Sequence, residues 1–381
     1  MSLAILHGAH PYFAKFHYQL PLKYIERYTK QGDTVFDPFC GSGTTLIAAN
    51  SIGRNAIGID ANPLACLIAR VKASRYEQAD FDELQGLLET SVAIADRMRG
   101  RQTLFSSTRA MPLADEPAIP NCTYWFEPEV LHDLRGIKGL VAQLRRPLCR
   151  DAARVAFSRI IVRASNQQGE SQYRRVDKGH ERGVCWDFFV AALSDVLDTL
   201  RSSQQTLCTV ATAVVHNEDC RVFSLPVATC DLIVTSPPYL NSWDYSLYQK
   251  FRMLWLDFNP KAYSEIEIGN HLRTLRNGAR EVERYRADMR LVFANIAKSL
   301  KRNCYCVFVN GETVVSGEII NTDDIITEAA CSAGMLLRST KSRPILGPHY
   351  GNHASMGARR VVSKIVRDKA ESILVYQLSG N

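Results

Sequence analysis

No stretch of this 381-residue sequence holds the roughly 18 consecutive apolar residues of a membrane-spanning helix. No basic segment followed by an apolar one opens it, so neither a membrane protein nor a secreted one is expected, and the location expected is cytoplasmic. The eleven cysteines include no C-x-x-C pair. Cys304 and Cys306, in the apolar run NCYCVFV, have strand spacing and read as reduced core residues rather than ligands. His349 and His353 flank Gly351 and Asn352 instead of lying on a helical pattern, so no metal site is expected. Neither G-x-G-x-x-G nor a P-loop lysine occurs, which speaks against a dinucleotide or phosphate ligand. Internal repeats and low-complexity segments are also missing.

What is present is a globular composition, 46% hydrophobic and 22% charged, long enough for one large α/β domain plus a substantial insertion. Net charge is +7, and its distribution is uneven. Between residues 135 and 182 twelve Lys and Arg face four acids, a local excess of +8 that includes Arg174, Arg175 and Lys178. From Arg338 to Lys369 eight basic residues face Asp368, an excess of +7. Such patches suit a polyanion, and Arg174, Arg175 and Lys178 are the candidate contacts to it.

The most informative stretch is CDLIVTSPPYLNSWDY, residues 230 to 245. Asp231 followed by Leu, Ile and Val predicts a strand buried on both faces of a parallel sheet. Pro237 and Pro238 then fix two φ angles and remove two donors, so the strand stops and Ser236 and Tyr239 sit on a stiff turn at its carboxyl edge. Ligands of open α/β sheets bind at that edge. The turn suits a poor nucleophile such as the exocyclic amine of a nucleobase, whose lone pair is delocalised into the ring. The Ser236 hydroxyl and the Pro237 carbonyl can accept its hydrogens and favour a tetrahedral nitrogen, while Tyr239 offers a stacking face. Trp243, Asp244 and Tyr245 are expected to pack behind the turn, with lining of the base pocket as the alternative.

Earlier in the chain, DTVFDPFCGSGTTL from Asp33 and GRNAIGIDAN from Gly53 predict strand, glycine loop, helix and strand with a terminal acid, one βαβ unit. Gly41 and Gly43 allow a tight turn and close approach to a ligand. Asp60 ends the second strand where a carboxylate can accept two ribose hydroxyls. Helices are expected at 19–28, from Asn62-Pro63 to about Lys72, at 77–99, from Tyr124 through Leu144, at 280–300 and from Asp323 to Ala333. A strand is expected at 303–310, and Ser372–Leu378 as an antiparallel edge hairpin with 335–341.

Thr-Ser-Pro-Pro-Tyr after a short apolar strand resembles the catalytic motif of S-adenosylmethionine-dependent DNA amino-methyltransferases, most of all the cytosine-N4 type. Asp-Pro-Phe-Cys-Gly-Ser-Gly-Thr-Thr is similar to that family's cofactor loop, and His10 to Phe16 is similar to the segment that precedes it. The resemblance implies an α/β fold with a doubly wound, mostly parallel sheet. It implies S-adenosyl-L-methionine as cofactor, held by Lys15, Asp37, Phe39, Gly41, Gly43, Thr44, Asp60, Asn62 and Asp219, the last receiving the adenine amino group. Ser236, Pro237 and Tyr239 would act on a flipped cytosine. The expected organisation is a cofactor half (1–75), an inserted, partly helical recognition region (76–215) and a catalytic half (216–381), in α-like motif order. Double-stranded DNA is the expected partner, beside a separately acting restriction endonuclease. Adenine-N6 methylation, RNA guanine-N2 methylation and a non-catalytic nucleic-acid-binding subunit stay open as alternatives.

Overall fold

The computed structural model describes residues 2–8, 10–12, 17–100, 112–170, 172–241, 243–311, 313–344 and 370–380. In chain order the strands are β1 (Thr34–Asp37), β2 (Asn55–Asp60), β3 (Gln167–Gly169), β4 (Gln172–Arg175), β5 (Ala213–Asn217), β6 (Cys230–Thr235), β7 (Leu300–Gly311), β8 (Thr313–Val315), β9 (Glu318–Ile320), β10 (Met335–Pro344) and β11 (Ala370–Leu378). The chain forms two compact units. One gathers residues 1–13, 70–207 and 246–260; the other gathers 14–69, 208–245 and 261–381.

The second unit is an α/β domain on a seven-stranded sheet of order β10-β11-β7-β6-β1-β2-β5. The pairs β1/β2, β2/β5, β1/β6 and β6/β7 are parallel, while β11 runs antiparallel to both β7 and β10. The chain steps outward from β1 through β2 to β5, then returns to the other side of β1 as β6 and continues to β7. This is the doubly wound, mostly parallel arrangement anticipated, with β10 as the antiparallel hairpin's outer edge.

Both faces of the sheet are covered, which is why its central strands read as continuous apolar runs. Phe36, Ile59, Ile233, Cys306 and Phe308 share one core with Tyr285, Met289, Val292, Phe293 and Ile296 of the helix His271–Ser299 and Ile325 and Ile326 of Thr322–Ser332. On the opposite face the helix Thr44–Ser51, buried from Thr44 through Asn50, comes so close to β2 that a Cβ at Gly58 would lie 2.8 Å from Leu46. The helix expected at 280–300 follows a kink at Asn277, whose φ of −142° and ψ of 47° are not helical; before the kink a short helical stretch begins at His271, capped by the Asn270 side chain on the Arg273 amide.

The first unit is helical. It contains Gln78–Met98, Pro128–Ala142, Pro147–Ala164 and Val184–Ser203, with the small β3/β4 hairpin. Glu77 and Asp80 form a capping box that starts the first of these helices, and proline at the first turn starts the next two. Trp186, Trp255, Phe126, Phe157, Phe189 and Phe251 are fully buried. The continuous helix expected from Tyr124 to Leu144 is corrected to two. A four-residue turn, Cys122–Trp125, stops at the extended Phe126, and the chain restarts at Pro128. The proline ring excludes helical geometry at the residue before it, and Glu127 is held at φ −62°, ψ 148°. No helix among the described residues is long and apolar enough to cross a membrane.

Candidate active site

In the α/β unit the strand ends carry the chemistry. The carboxyl ends of β6, β1, β2 and β5 lie side by side, so the turn after β6, the glycine loop after β1, Asp60 and the Asp219 corner form one row. The strand order reverses between β1 and β6, and this switch point is where a crevice opens in such sheets.

The loop after β1 is built from its backbone. Gly41 and Gly43 have φ of +49° and +83°. At Gly43 a Cβ would also meet the Ala69 Cβ at 3.0 Å, so both the turn and the packing require glycine. The Gly41 amide donates to Asp60 Oδ2 at 2.8 Å, and the Asn62 amide donates to Asp60 Oδ1 at 2.8 Å. Asp60 is partly exposed, and its remaining lone pairs can still accept from a ligand. Desolvation raises its carboxyl to about 6 against the pull of those two amides.

Asp37 stands behind the loop, 1% exposed. Its Oδ1 accepts from Thr235 Oγ1 at 2.5 Å and from the Phe39 amide at 3.1 Å. Burial raises it to about 6; the hydroxyls of Thr235 and Thr45 and the Phe39 amide oppose this, and the charge of Asp60 adds to it. Its geometry is that of an anchor joining the loop to the strand that carries the Ser-Pro-Pro-Tyr turn. Asn62 is fully buried, its Oδ1 accepting from Leu64 at 3.0 Å to open the helix Pro63–Ala73. Thr44 is buried at the start of its helix, and Phe39 is partly exposed. Lys15 lies outside the described residues, as does most of the second basic patch.

One expected cofactor contact, Asp219, also has a partner within the chain. The Asp219 carboxylate is gripped by Arg221, through Nε at 3.0 Å and Nη2 at 2.6 Å, and Arg221 in turn reaches Asp288 at 2.8 Å. His10, in the segment that precedes the glycine loop, groups with the helical unit, buried and 2.7 Å from Ser158 Oγ.

In the turn after β6, Pro237 is buried while Ser236 and Tyr239 are half-buried. The Ser236 hydroxyl lies 3.3 Å from the Tyr239 oxygen. The Pro238 carbonyl accepts from Tyr285 Oη at 3.2 Å, pinning the turn to the long helix. Asp244 is buried and accepts from the Leu272 amide at 3.2 Å, behind the turn.

In the helical unit Arg174 is exposed on β4. Arg175 donates to the Tyr124 carbonyl at 2.8 Å and covers the Tyr124 ring. Lys178 donates to the carbonyls of Val162 at 2.9 Å and Arg163 at 3.2 Å, capping the helix Pro147–Ala164, and burial lowers its pKa. Part of the basic window is answered by acids from elsewhere in the chain. Arg146 meets Glu77 and Asp80, Arg159 meets Asp195, and Lys138 meets Asp257. Sequence reasoning missed Thr235, Gly311, Arg221, Glu371 and Arg343 as parts of the site. A signal existed for one of them, Glu371, an acid opening an otherwise apolar strand.

Residues 5–71 match the model of the DNA methylase family. The type II methyltransferase M.MjaII of Methanocaldococcus jannaschii is 49% identical over 83 residues, which are 22% of this chain and 15% of that protein. M.MvaI of Kocuria varians is 23% identical over 271 residues, 66% of this chain and 58% of that one. M.BsoBI of Geobacillus stearothermophilus is 24% identical over 269 residues, 65% and 52%. The chain thus spans from about a seventh to under two thirds of the length of these relatives. A TehB-like SAM-dependent methyltransferase structure from Corynebacterium glutamicum overlays with TM-score 0.33 at 9% identity, covering 96% of this chain and 90% of that one. The fold assignment rests on the strand order.

Proposed function

We propose that this chain is a DNA methyltransferase that transfers a methyl group from S-adenosyl-L-methionine to the exocyclic N4 amine of a cytosine flipped out of the duplex. The observation that carries this reading is the adjacency of β6, β1 and β2, which sets the Ser236–Tyr239 turn beside the glycine loop and Asp60 on one sheet edge.

The site fits the cofactor in two respects. Asp60 is a carboxylate fixed by two amides with acceptor capacity to spare, suited to a ribose diol, and the positive-φ glycines open room for close approach. Gly41, Gly43, Thr44, Phe39 and Asp60 would hold it, with Asp37 and Asn62 supporting the loop from within. When bound, the cofactor supplies a methyl carbon made electron-poor by its sulfonium. The chain's own task is to shape the nucleophile. Ser236 Oγ and the Pro237 carbonyl accept the amine hydrogens and favour a nitrogen whose lone pair is free of the ring, and Tyr239 stacks on the base. As the N–C bond forms and the C–S bond breaks, the amine gives one proton to solvent.

Double-stranded DNA is the proposed substrate, the helical unit the proposed recognition region, and Arg174 its proposed phosphate contact, with Arg175 beside it. A cytoplasmic setting beside a separately acting restriction endonuclease belongs to the same reading. Ser236, where an adenine-N6 enzyme of this kind commonly carries Asp or Asn, favours cytosine. The test is to treat unmodified DNA with protein and cofactor, digest it to nucleosides and identify the product by mass. N4-methylcytosine is expected. N6-methyladenine alone would overturn the base assignment, and no methylated nucleoside would overturn the enzyme.

A further inference from the structure

Three strands of the α/β unit place one residue each at the same level beside the Ser236–Tyr239 turn. In the pairing register Gly311 of β7 faces Glu371 of β11, and Glu371 faces Arg343 of β10. Because Gly311 lacks a side chain, the Tyr239 ring lies against the strand; a Cβ there would come within 2.9 Å of a ring carbon. The Tyr239 hydroxyl then donates to Glu371 Oε1 at 3.1 Å. Glu371 is 3% exposed, and its other oxygen accepts from Arg343 Nε at 2.8 Å. On the near side the Ser236 hydroxyl donates to the Tyr239 oxygen at 3.3 Å.

The direction of this chain is fixed from its far end. A carboxylate held by an arginine only accepts hydrogen bonds. Tyr239 has one proton and gives it to Glu371, so its oxygen accepts, and Ser236 turns its own proton toward Tyr239. With its proton so committed, the Ser236 oxygen can act toward a ligand only as an acceptor. A solitary serine hydroxyl could equally present its proton to an incoming amine and fail to draw the amine hydrogens away from the ring plane.

We propose that Glu371, fixed by Arg343, is a positioning residue that orients the Tyr239 and Ser236 hydroxyls so that Ser236 acts as a pure acceptor for the exocyclic amine. This rests on the amino-methyltransferase reading above. It also accounts for a neutral serine at that position, since the negative charge stands two hydrogen bonds away.

Two variants test it, Glu371→Gln, whose amide can donate to Tyr239 and reverse the chain, and Tyr239→Phe, which keeps the stacking ring and the Glu371–Arg343 pair. In steady-state methylation of duplex DNA each should lower kcat by about 10- to 100-fold, with cofactor Kd unchanged; outright loss of a transition-state hydrogen bond costs about 100- to 1,000-fold, and here the Ser236 hydroxyl stays in place with its orientation lost. The double variant should be no slower than the slower single one, because both break the same chain. Wild-type kcat in Tyr239→Phe overturns the inference even where Glu371→Gln folds poorly, and so do losses that multiply in the double variant. Absence of methyl transfer by the wild-type protein is a different result, and overturns the parent reading together with this inference.

Discussion

Thr235 and Asp37, 198 residues apart in the chain, share a 2.5 Å hydrogen bond in the middle of the sheet. Thr235 is the residue immediately before the Ser-Pro-Pro-Tyr turn, and Asp37 opens the glycine loop, so one buried contact ties the two halves of the site together. Thr235→Val keeps the shape and removes the donor. It should destabilise the fold by about 1–3 kcal/mol, the cost of leaving a buried acceptor short of a partner. Urea unfolding measures this directly, and an unchanged midpoint would show that the bond does not contribute.

The raised carboxyls of Asp60 and Asp37 make two opposite pH dependences. Desolvation holds each at about 6, above the ordinary carboxylate value. Their contribution to folding is present in full at about pH 4 and below, and is lost as pH rises through about 6, because the native state then holds poorly solvated charge. Cofactor affinity should run the other way. Asp60 must be ionised to accept two hydroxyls well, so affinity should fall as pH drops from 7 to 5, by up to about tenfold per pH unit for a single proton. Calorimetric titration across that range checks it, and Asp60→Asn should bind weakly with a flat profile.

Gly311→Ala adds a methyl group against the Tyr239 ring, where 2.9 Å is too close for any side-chain carbon. The ring is expected to shift, since Gly311 is held in register against Glu371 of β11 at that level. A rise in KM for DNA of about three- to tenfold is expected from partial loss of base stacking, with cofactor binding untouched. Equal kinetic constants in the variant would show that the ring position is not critical.

Among the three basic residues singled out on the helical unit, different outcomes are expected. Arg174→Ala should lower the slope of log DNA affinity against log salt by about 1, as for one lost phosphate contact. Lys178→Ala should leave that slope alone and lower the melting temperature, because its ammonium caps a helix. Should Lys178→Ala change the salt slope and Arg174→Ala not, the two roles are reversed.

The sheet was legible because its signals are local. Leu-Ile-Val before two prolines, and a glycine loop between two short strands, are patterns that neighbours in sequence impose on one another. The charged surface was not, because a window of sequence counts arginines without their partners. Arg146 and Arg159 sit in the +8 stretch, yet Asp80 and Asp195, which answer them, lie outside it. The same holds for the site. Ser236 and Tyr239 could be read from their motif, whereas Glu371, 132 residues beyond Tyr239, reaches it only because β11 inserts antiparallel beside β7, a pairing that no short motif encodes.

The interleaving of the two units also sets an order on synthesis. Strands β1 and β2 leave the ribosome first, but β1's other neighbour, β6, ends at Thr235, after the whole 70–207 segment has been made. For that interval β1 has one bare edge, and the helical segment has the opportunity to collapse on its own local contacts before the sheet can close. A translation stall placed between residues 207 and 230 would leave an exposed parallel edge on the nascent chain for as long as it lasts.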